Sequence, residues 1–249
     1  MDLGGLLDGE RGHIRIPVPA YLIEHANSTL IFDSGLHPDL RDPVSERSRW
    51  AAPHFSCDLP EGTDLRARLA ACDVDIADVD LLVLSHLHFD HAGGSGLAES
   101  AELVVQRAEW EAAMADVEGE EYTAADFVHA ANLRLLDDGL DVFEDGRVQL
   151  IPSAGHTPGH QSLLLRTDDG GQLMLCGDAC YMRQSLATLT PPPYGFSREA
   201  QLEVFGRFRQ LEASGAQLLF GHDPDQWPAR AEIDSVVELS HGLGTRSSR

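Results

Sequence analysis

The segment His86-Leu87-His88-Phe89-Asp90-His91 places four groups able to ligate a metal within six residues, directly after the apolar run Asp80–Ser85. That run, DLLVLS, reads as a short buried strand pointing into the loop. Residues 86 and 88 are two apart and can project to one side. Residues 90 and 91 lie past a turn, ahead of the flexible Ala92-Gly93-Gly94, so one loop can serve two adjacent cations. A lone histidine is usually a surface or satisfied core residue; ligands at this density are not.

A metal site needs more donors than one loop supplies. Candidates are His156 in Gly155-His156-Thr157-Pro158-Gly159-His160, Asp178 in Leu175-Cys176-Gly177-Asp178, and His222 in Leu219-Phe220-Gly221-His222-Asp223. Each reads as the end of a strand preceded by glycine, which removes a Cβ clash from the approach of the ligand. Taken singly, each would be a cap or turn residue. Together with the 86–91 loop they form a set.

The remaining pattern interleaves strands and helices. Alternation predicts a strand from Ile14 to Ile23 and another over Leu30–Phe32, joined by the polar turn Glu24–Ser28. Arg41–Thr63, with Pro43, Pro53 and Pro60, reads as a long excursion containing a short helix and anchored by Trp50 and Phe55. Helices are predicted over Asp64–Cys72, Ala108–Val117, Ala124–Leu136, Arg198–Leu211 and near Ala229–Leu239. Further strands fall at Leu103–Val105, Val148–Ile151, Ser162–Arg166, Gln172–Cys176 and Gln217–Phe220. With no internal repeat and no low-complexity linker, residues 1–249 read as a single α/β domain.

Charge narrows the function. Acidic residues outnumber basic ones 41 to 18, every basic residue is Arg, and the net charge is −23. Such a surface repels polyanions, so nucleic acid and anionic membrane are excluded as expected partners. The absence of Lys fits either a coding bias or a salty cell interior that screens dense negative charge. The 43% apolar content is enough for a substantial core. Cys57, Cys72, Cys176 and Cys180 form no CxxC pair, so reduced, mostly buried thiols are expected. Met1-Asp2 opens no basic, apolar leader and no run spans a membrane, which reads as cytoplasmic.

The ordered set resembles the metallo-β-lactamase superfamily, whose His-x-His-x-Asp-His loop, later His, bridging Asp and final His stand here as His86, His88, Asp90, His91, His156, Asp178 and His222. The resemblance runs from about Asp33 to Asp223. It implies a four-layer αββα sandwich with two divalent metal ions at one rim of the sheets. His86, His88 and His156 would bind one ion, Asp90, His91 and His222 the other, and Asp178 would bridge. Asp33 in Phe32-Asp33-Ser34-Gly35 matches an early Asp that supports the ligands. Zinc suits these ligand types, and iron, cobalt and manganese are compatible with them. SHLHFDHAGG, GHTPGHQS, FGHD and the Asp178-to-Tyr181 spacing look most like the N-acyl-homoserine lactonases. In that reading a hydroxide bridging the metals opens the lactone ring, Tyr181 donates a hydrogen bond to the developing oxyanion, and Asp90 and Asp178 are the catalytic carboxylates, Asp178 also relaying the proton. Tyr181 also has a bland reading as a packed phenol. Phe89 would floor a pocket, and His160 would support rather than ligate. Met1–Gly12 departs from the family's start, leaving the first strand missing or rebuilt, and Asp39–Pro60 and Thr190–Phe196 diverge on the substrate side.

Other readings stay open. A lactonase acting on a pyridoxic-acid lactone shares the HLHFDHAGG stretch. A glyoxalase-II-like thioesterase shares the ligands, but its anionic substrate would want a basic patch. A β-lactamase is usually exported, and a di-iron oxidoreductase of this fold would carry Glu where His88 stands. No GxSxG elbow supports a serine hydrolase. A non-catalytic metal-binding protein is the remaining alternative. The substrate partner is a small lactone; a homodimer is allowed.

Overall fold

The computed structural model describes residues 14–26, 28–53, 55–116, 122–167 and 169–227. The chain divides into two compact units, one spanning Val18–Asp137 and the other Asp138 onward together with the stretch up to Pro17. Each unit contains one five-stranded sheet.

In the first unit the strands are β1 (Tyr21–His25), β2 (Ser28–Phe32), β3 (Leu81–Val83), β4 (Glu102–Gln106) and β5 (Leu133–Leu136), in that order across the sheet. β1 and β2 form an antiparallel hairpin, and β2 to β5 run parallel. Parallel neighbours release their following loops at the same edge. Phe32 pairs with Val83, so the residues after β2 and β3 emerge side by side. Helix α1 (Glu46–Ala51) is the short helix expected in the Arg41–Thr63 excursion, and its N-cap Ser45 accepts a hydrogen bond from the Ser48 N–H. Helix α2 (Leu65–Ala71) starts where Asp64 accepts from the Ala67 N–H, and it buries Leu65 and Leu69. Those two residues join Ile31, Leu82, Leu84, Leu103, Val105 and Phe127 in one apolar cluster. Burying each such side chain stabilises the unit by roughly 1.5–3 kcal/mol relative to exposure. Helix α3 (Phe89–Ala92) is a single turn formed within the His86–His91 loop, and α4 (Arg107–Ala115) follows β4.

The second unit orders its strands β10-β9-β8-β7-β6: β6 (Leu140–Asp141), β7 (Val148–Pro152), β8 (Gln161–Arg166), β9 (Gln172–Leu175) and β10 (Gln217–Leu219). β6 to β9 pair antiparallel, whereas β10 lies parallel to β9 with Leu219 against Leu175. Helix α5 (Arg183–Thr188) and the longer α6 (Arg198–Ala213) complete the described elements. The buried stripe Gln201, Val204, Phe205 and Phe208 gives α6 one inward face, three of whose members pack with Leu164, Met174, Leu218 and Phe220.

Three expectations from the sequence are corrected. The strand predicted from Ile14 starts only at Tyr21. Pro17 and Pro19 cannot donate to a ladder and break the alternating pattern. The predicted helix Ala124–Leu136 is instead a 3-10 turn at Ala124–Asp126 and strand β5, whose Leu133–Leu136 pair with β4. Here lateral pairing overrides the helix propensity of the alanines. The thiols are less buried than expected: Cys176 and Cys180 are buried, Cys57 is partly exposed and Cys72 is exposed, and all four are free. The terminal helix near Ala229–Leu239 and the Met1–Gly12 start lie outside the described residues. Among those described, no helix is long and apolar enough to cross a membrane.

The turn that replaces the helix buries Asp126 against Arg47 of α1. Burial raises the Asp126 carboxyl to about 6 although Arg47 pulls it down. A raised folded-state pKa favours the fold at low pH, and that contribution is lost as pH rises through about 6, where the carboxylate depends on Arg47. Arg47→Met is therefore expected to cost about 3 kcal/mol at pH 8 and clearly less at pH 5, where the carboxyl is largely protonated. Urea denaturation at the two pH values checks this; equal losses would show that the ion pair is immaterial.

Candidate functional site

Asp33 is the first residue beyond β2, and its φ of 62° lies in the left-handed region that a non-glycine residue seldom adopts. Its N–H donates to the Val83 carbonyl at 2.9 Å, continuing the β2–β3 ladder by one step. Its carboxylate then faces the loop after β3. Oδ1 accepts the Ser85 N–H at 2.7 Å, and Oδ2 accepts the Ser85 hydroxyl at 2.9 Å and His91 Nδ1 at 2.8 Å. The strained backbone is held by these bonds, which require the side chain at that point.

The same contacts fix ring tautomers. Asp33 accepts a hydrogen bond from the Nδ1–H of His91, which leaves Nε2 as the lone-pair nitrogen, 3.7 Å from Asp90 Oδ2. Ser85 Oγ donates to Asp33 and lies 3.0 Å from His86 Nδ1, so it can accept that proton and leave His86 Nε2 as the donor atom. His86 Nε2 in turn lies 3.0 Å from His88 Nδ1. Ligand atoms of His86 and His88, of His86 and His91, and of Asp90 and His91 all approach within 4.8 Å. The loop is braced from below by Glu109 of α4, a fully buried carboxylate that accepts the Leu87 N–H at 3.0 Å between the two histidines. The sequence reading missed Glu109; a charged residue on the buried side of a helix was the available signal. Phe89 sits 5.2 Å from both Trp50 and Phe55, ring to ring. The excursion thus brings its two expected aromatic anchors to the ligand loop.

In the second unit, β9 and β10 release their loops at a common end, as their parallel pairing requires. Asp178 lies in the 3-10 turn Gly177–Ala179, and His222 three residues after β10. His156 is not at a strand end but four residues past β7, inside the β7–β8 connection. The Gly221 N–H donates to the Cys180 carbonyl at 3.2 Å and the His222 N–H to the Tyr181 carbonyl at 2.9 Å, which locks the two loops together. A Cβ at Gly221 would lie 2.7 Å from Asp178 Oδ1, so only glycine permits this approach.

Asp178, 3% exposed, stands between two imidazoles, with Oδ1 3.0 Å from His222 Nε2 and Oδ2 3.4 Å from His156 Nε2. The far nitrogens are tied back: His222 Nδ1 donates to the Pro17 carbonyl at 2.8 Å, and His156 Nδ1 lies 3.4 Å from the Tyr181 hydroxyl. Tyr181 is 9% exposed and stacks edge-on against both His156 and His222.

His160 has a different task. Its Nε2 accepts the N–H groups of Asp178 at 3.0 Å and Ala179 at 3.2 Å, which places the proton on Nδ1 facing Ser153 Oγ at 2.8 Å. Ser153 meets Ser162 at 2.7 Å, and Ser162 donates to the Cys176 carbonyl at 2.9 Å. With both ring nitrogens engaged, His160 supports the Asp178 turn. Ser153 and Ser162 went unnoticed in the sequence, where neither has a distinguishing neighbour.

Each donor set has the chemistry a divalent metal needs: buried imidazole nitrogens aimed outward by bonds at their opposite nitrogens, next to carboxylate oxygens.

The metallo-β-lactamase superfamily model matches residues 14–222. The N-acyl homoserine lactonase AttM of Azorhizobium caulinodans is 35% identical over 236 residues, which cover 89% of this chain and 87% of that protein. An N-acyl homoserine lactonase of a Bacillus species is 32% identical over 216 residues, covering 85% and 83%. A solved N-acyl homoserine lactone hydrolase, with the product N-hexanoyl-L-homoserine bound at its catalytic metal center, aligns with a TM-score of 0.78 at 27% identity, over 91% of this chain and 90% of that one. These matches show the α/β sandwich fold expected from the sequence, and the chain belongs to the metallo-β-lactamase superfamily, among relatives that are N-acyl homoserine lactonases.

Proposed function

We propose that the chain acts as one metallo-β-lactamase-fold domain that hydrolyses the lactone ring of N-acyl homoserine lactones with two divalent metal ions. The observation that carries this reading is the pairing of buried, pre-aimed imidazoles with carboxylates in both units, in a chain 35% identical to a named N-acyl homoserine lactonase. His86, His88 and His156 would hold one ion, Asp90, His91 and His222 the other, and Asp178 would contribute to both. Zinc is the ion best matched to a His and carboxylate set, with iron, cobalt and manganese as alternatives. Bound there, the ions supply Lewis acidity and lower the pKa of water toward about 7.

The chain's own residues do the rest. Asp33, Ser85 and the Pro17 carbonyl hold the imidazoles in the tautomers that present lone pairs. As the C–O bond to the attacking water oxygen forms and the ring C–O bond breaks, Asp178 takes the proton released and passes it to the departing ring oxygen. The product is the open hydroxy acid. Tyr181 donates a hydrogen bond to the carbonyl oxygen as negative charge develops on it. No side-chain nucleophile is needed: burial pushes the Cys176 and Cys180 thiols far up, so neither is a thiolate near neutral pH. The strongly acidic surface disfavours an anionic thioester more than a neutral lactone.

A mass assay across homoserine lactones of varied acyl length, beside a pyridoxic-acid lactone, a glutathione thioester and a β-lactam, tests the assignment. Ring opening confined to the homoserine lactones is expected, and turnover of the thioester alone would refute it. Tyr181→Phe is expected to lower kcat by about 10- to 100-fold, the loss of one hydrogen bond to the developing oxyanion. An unchanged kcat would leave the phenol as packing against His156 and His222.

A further inference from the structure

The inward stripe of α6 carries one polar residue. Val204, Phe205 and Phe208 follow Gln201 at the spacing of a buried helical face, yet Gln201 is only 1% exposed and presents a primary amide where the pattern calls for an apolar side chain. An amide buried there costs free energy unless it is bonded. Its Nε2 lies 3.4 Å from the carbonyl oxygen of Asp178 and 3.5 Å from that of Ala179, so the amide is shared between two long hydrogen bonds to one turn.

The same residue also supports the His156 turn. Gly155 has a φ of 147°, and a Cβ there would lie 2.7–2.9 Å from Gln201 N, Cα and Cβ. The start of α6 is stitched to that turn by the Ser197 N–H donating to the Gly155 carbonyl at 2.8 Å and the Phe196 N–H donating to the His156 carbonyl at 2.9 Å. Ser197 caps the helix through the Ala200 N–H, and the Gln201 N–H donates to the Ser197 carbonyl at 3.0 Å. The backbone of Asp178 is therefore held on both sides, its N–H by His160 and its carbonyl by Gln201. His156 is held by the helix that carries Gln201.

We infer that Gln201 is a positioning residue that sets Asp178 and His156 in register with each other, and so tunes the affinity of the metal site. The inference rests on the metal-dependent function proposed above. The amide touches neither lone-pair nitrogens nor carboxylate oxygens; it acts through backbone carbonyls. Losing a partner of a metal ligand lowers metal affinity or activity by about 10- to 100-fold.

The test uses the full-length protein and Gln201→Met, which keeps length and apolar volume but removes the donor. Chelator competition is expected to show metal affinity reduced about tenfold, with shifted visible bands in the cobalt-loaded protein. The kcat for a homoserine lactone should fall by a similar factor with KM within about twofold. The melting temperature of the metal-stripped protein should stay within about 3 °C of the parent. Gln210→Met, on the exposed face of the same helix, should change none of these. Unchanged metal affinity and cobalt bands in Gln201→Met would overturn the inference, as would losses that merely follow a fall in metal-free stability. If Gln201→Met does not fold, Gln201→Glu carries the same measurements, and failure of both to fold would assign the residue to the fold alone. A parent protein that binds metal and opens lactones while Gln201→Met matches it refutes only this inference. A parent that does neither refutes the proposed function instead.

Discussion

An imidazole can present one nitrogen to a cation reliably only when its other nitrogen is tied down. That constraint organises both units. In the first, Asp33 holds His91 and, through Ser85, reaches His86. In the second, the Pro17 carbonyl holds His222, and the Tyr181 hydroxyl stands beside His156. The anchors come from four different chemical groups, a carboxylate, a hydroxyl, a backbone carbonyl and a phenol, yet they do one job. Asp33 keeps a left-handed backbone to do it, which places strain where the ligand loop is braced.

Sheet topology makes these anchors reachable. Parallel pairing of β2 with β3 sets Asp33 next to Ser85, and parallel pairing of β9 with β10 sets the Asp178 and His222 turns next to each other. The antiparallel register of β8 on β9 brings His160 to the Asp178 turn, because the start of one strand lies beside the end of the other. Apolar clusters behind each sheet supply the rigidity, with α2 and Phe127 in one unit and α6 in the other. Glycine at position 221 then allows the approach of a loop to a carboxylate that no other residue would fit.

Much of this was legible in the sequence because the donors are local. Four potential ligands in six residues after an apolar strand are visible without any tertiary information, and Asp33 was marked by its place after the run Leu30–Phe32. Residues that act across the fold were not visible in the same way. Glu109 and Gln201 sit on helices, and their partners, Leu87 and Asp178, are 22 and 23 positions away. Only a polar residue on an otherwise buried helical face hinted at either. Elements failed where local pattern competed with pairing: Ala124–Leu136 has helical composition, but its last four residues add a strand to β4. The stretch from Ile14 alternates like a strand, but its prolines cannot join a ladder.

The proposed metal requirement rests on the same geometry, since buried carboxylates stand beside anchored imidazoles in a donor set suited to divalent cations. Metal content of the purified protein, measured by elemental analysis alongside lactone ring opening, addresses this most directly. Two ions per chain are expected, with activity lost on chelation and restored on reloading. One ion or none, with ring opening intact, would contradict the dinuclear site.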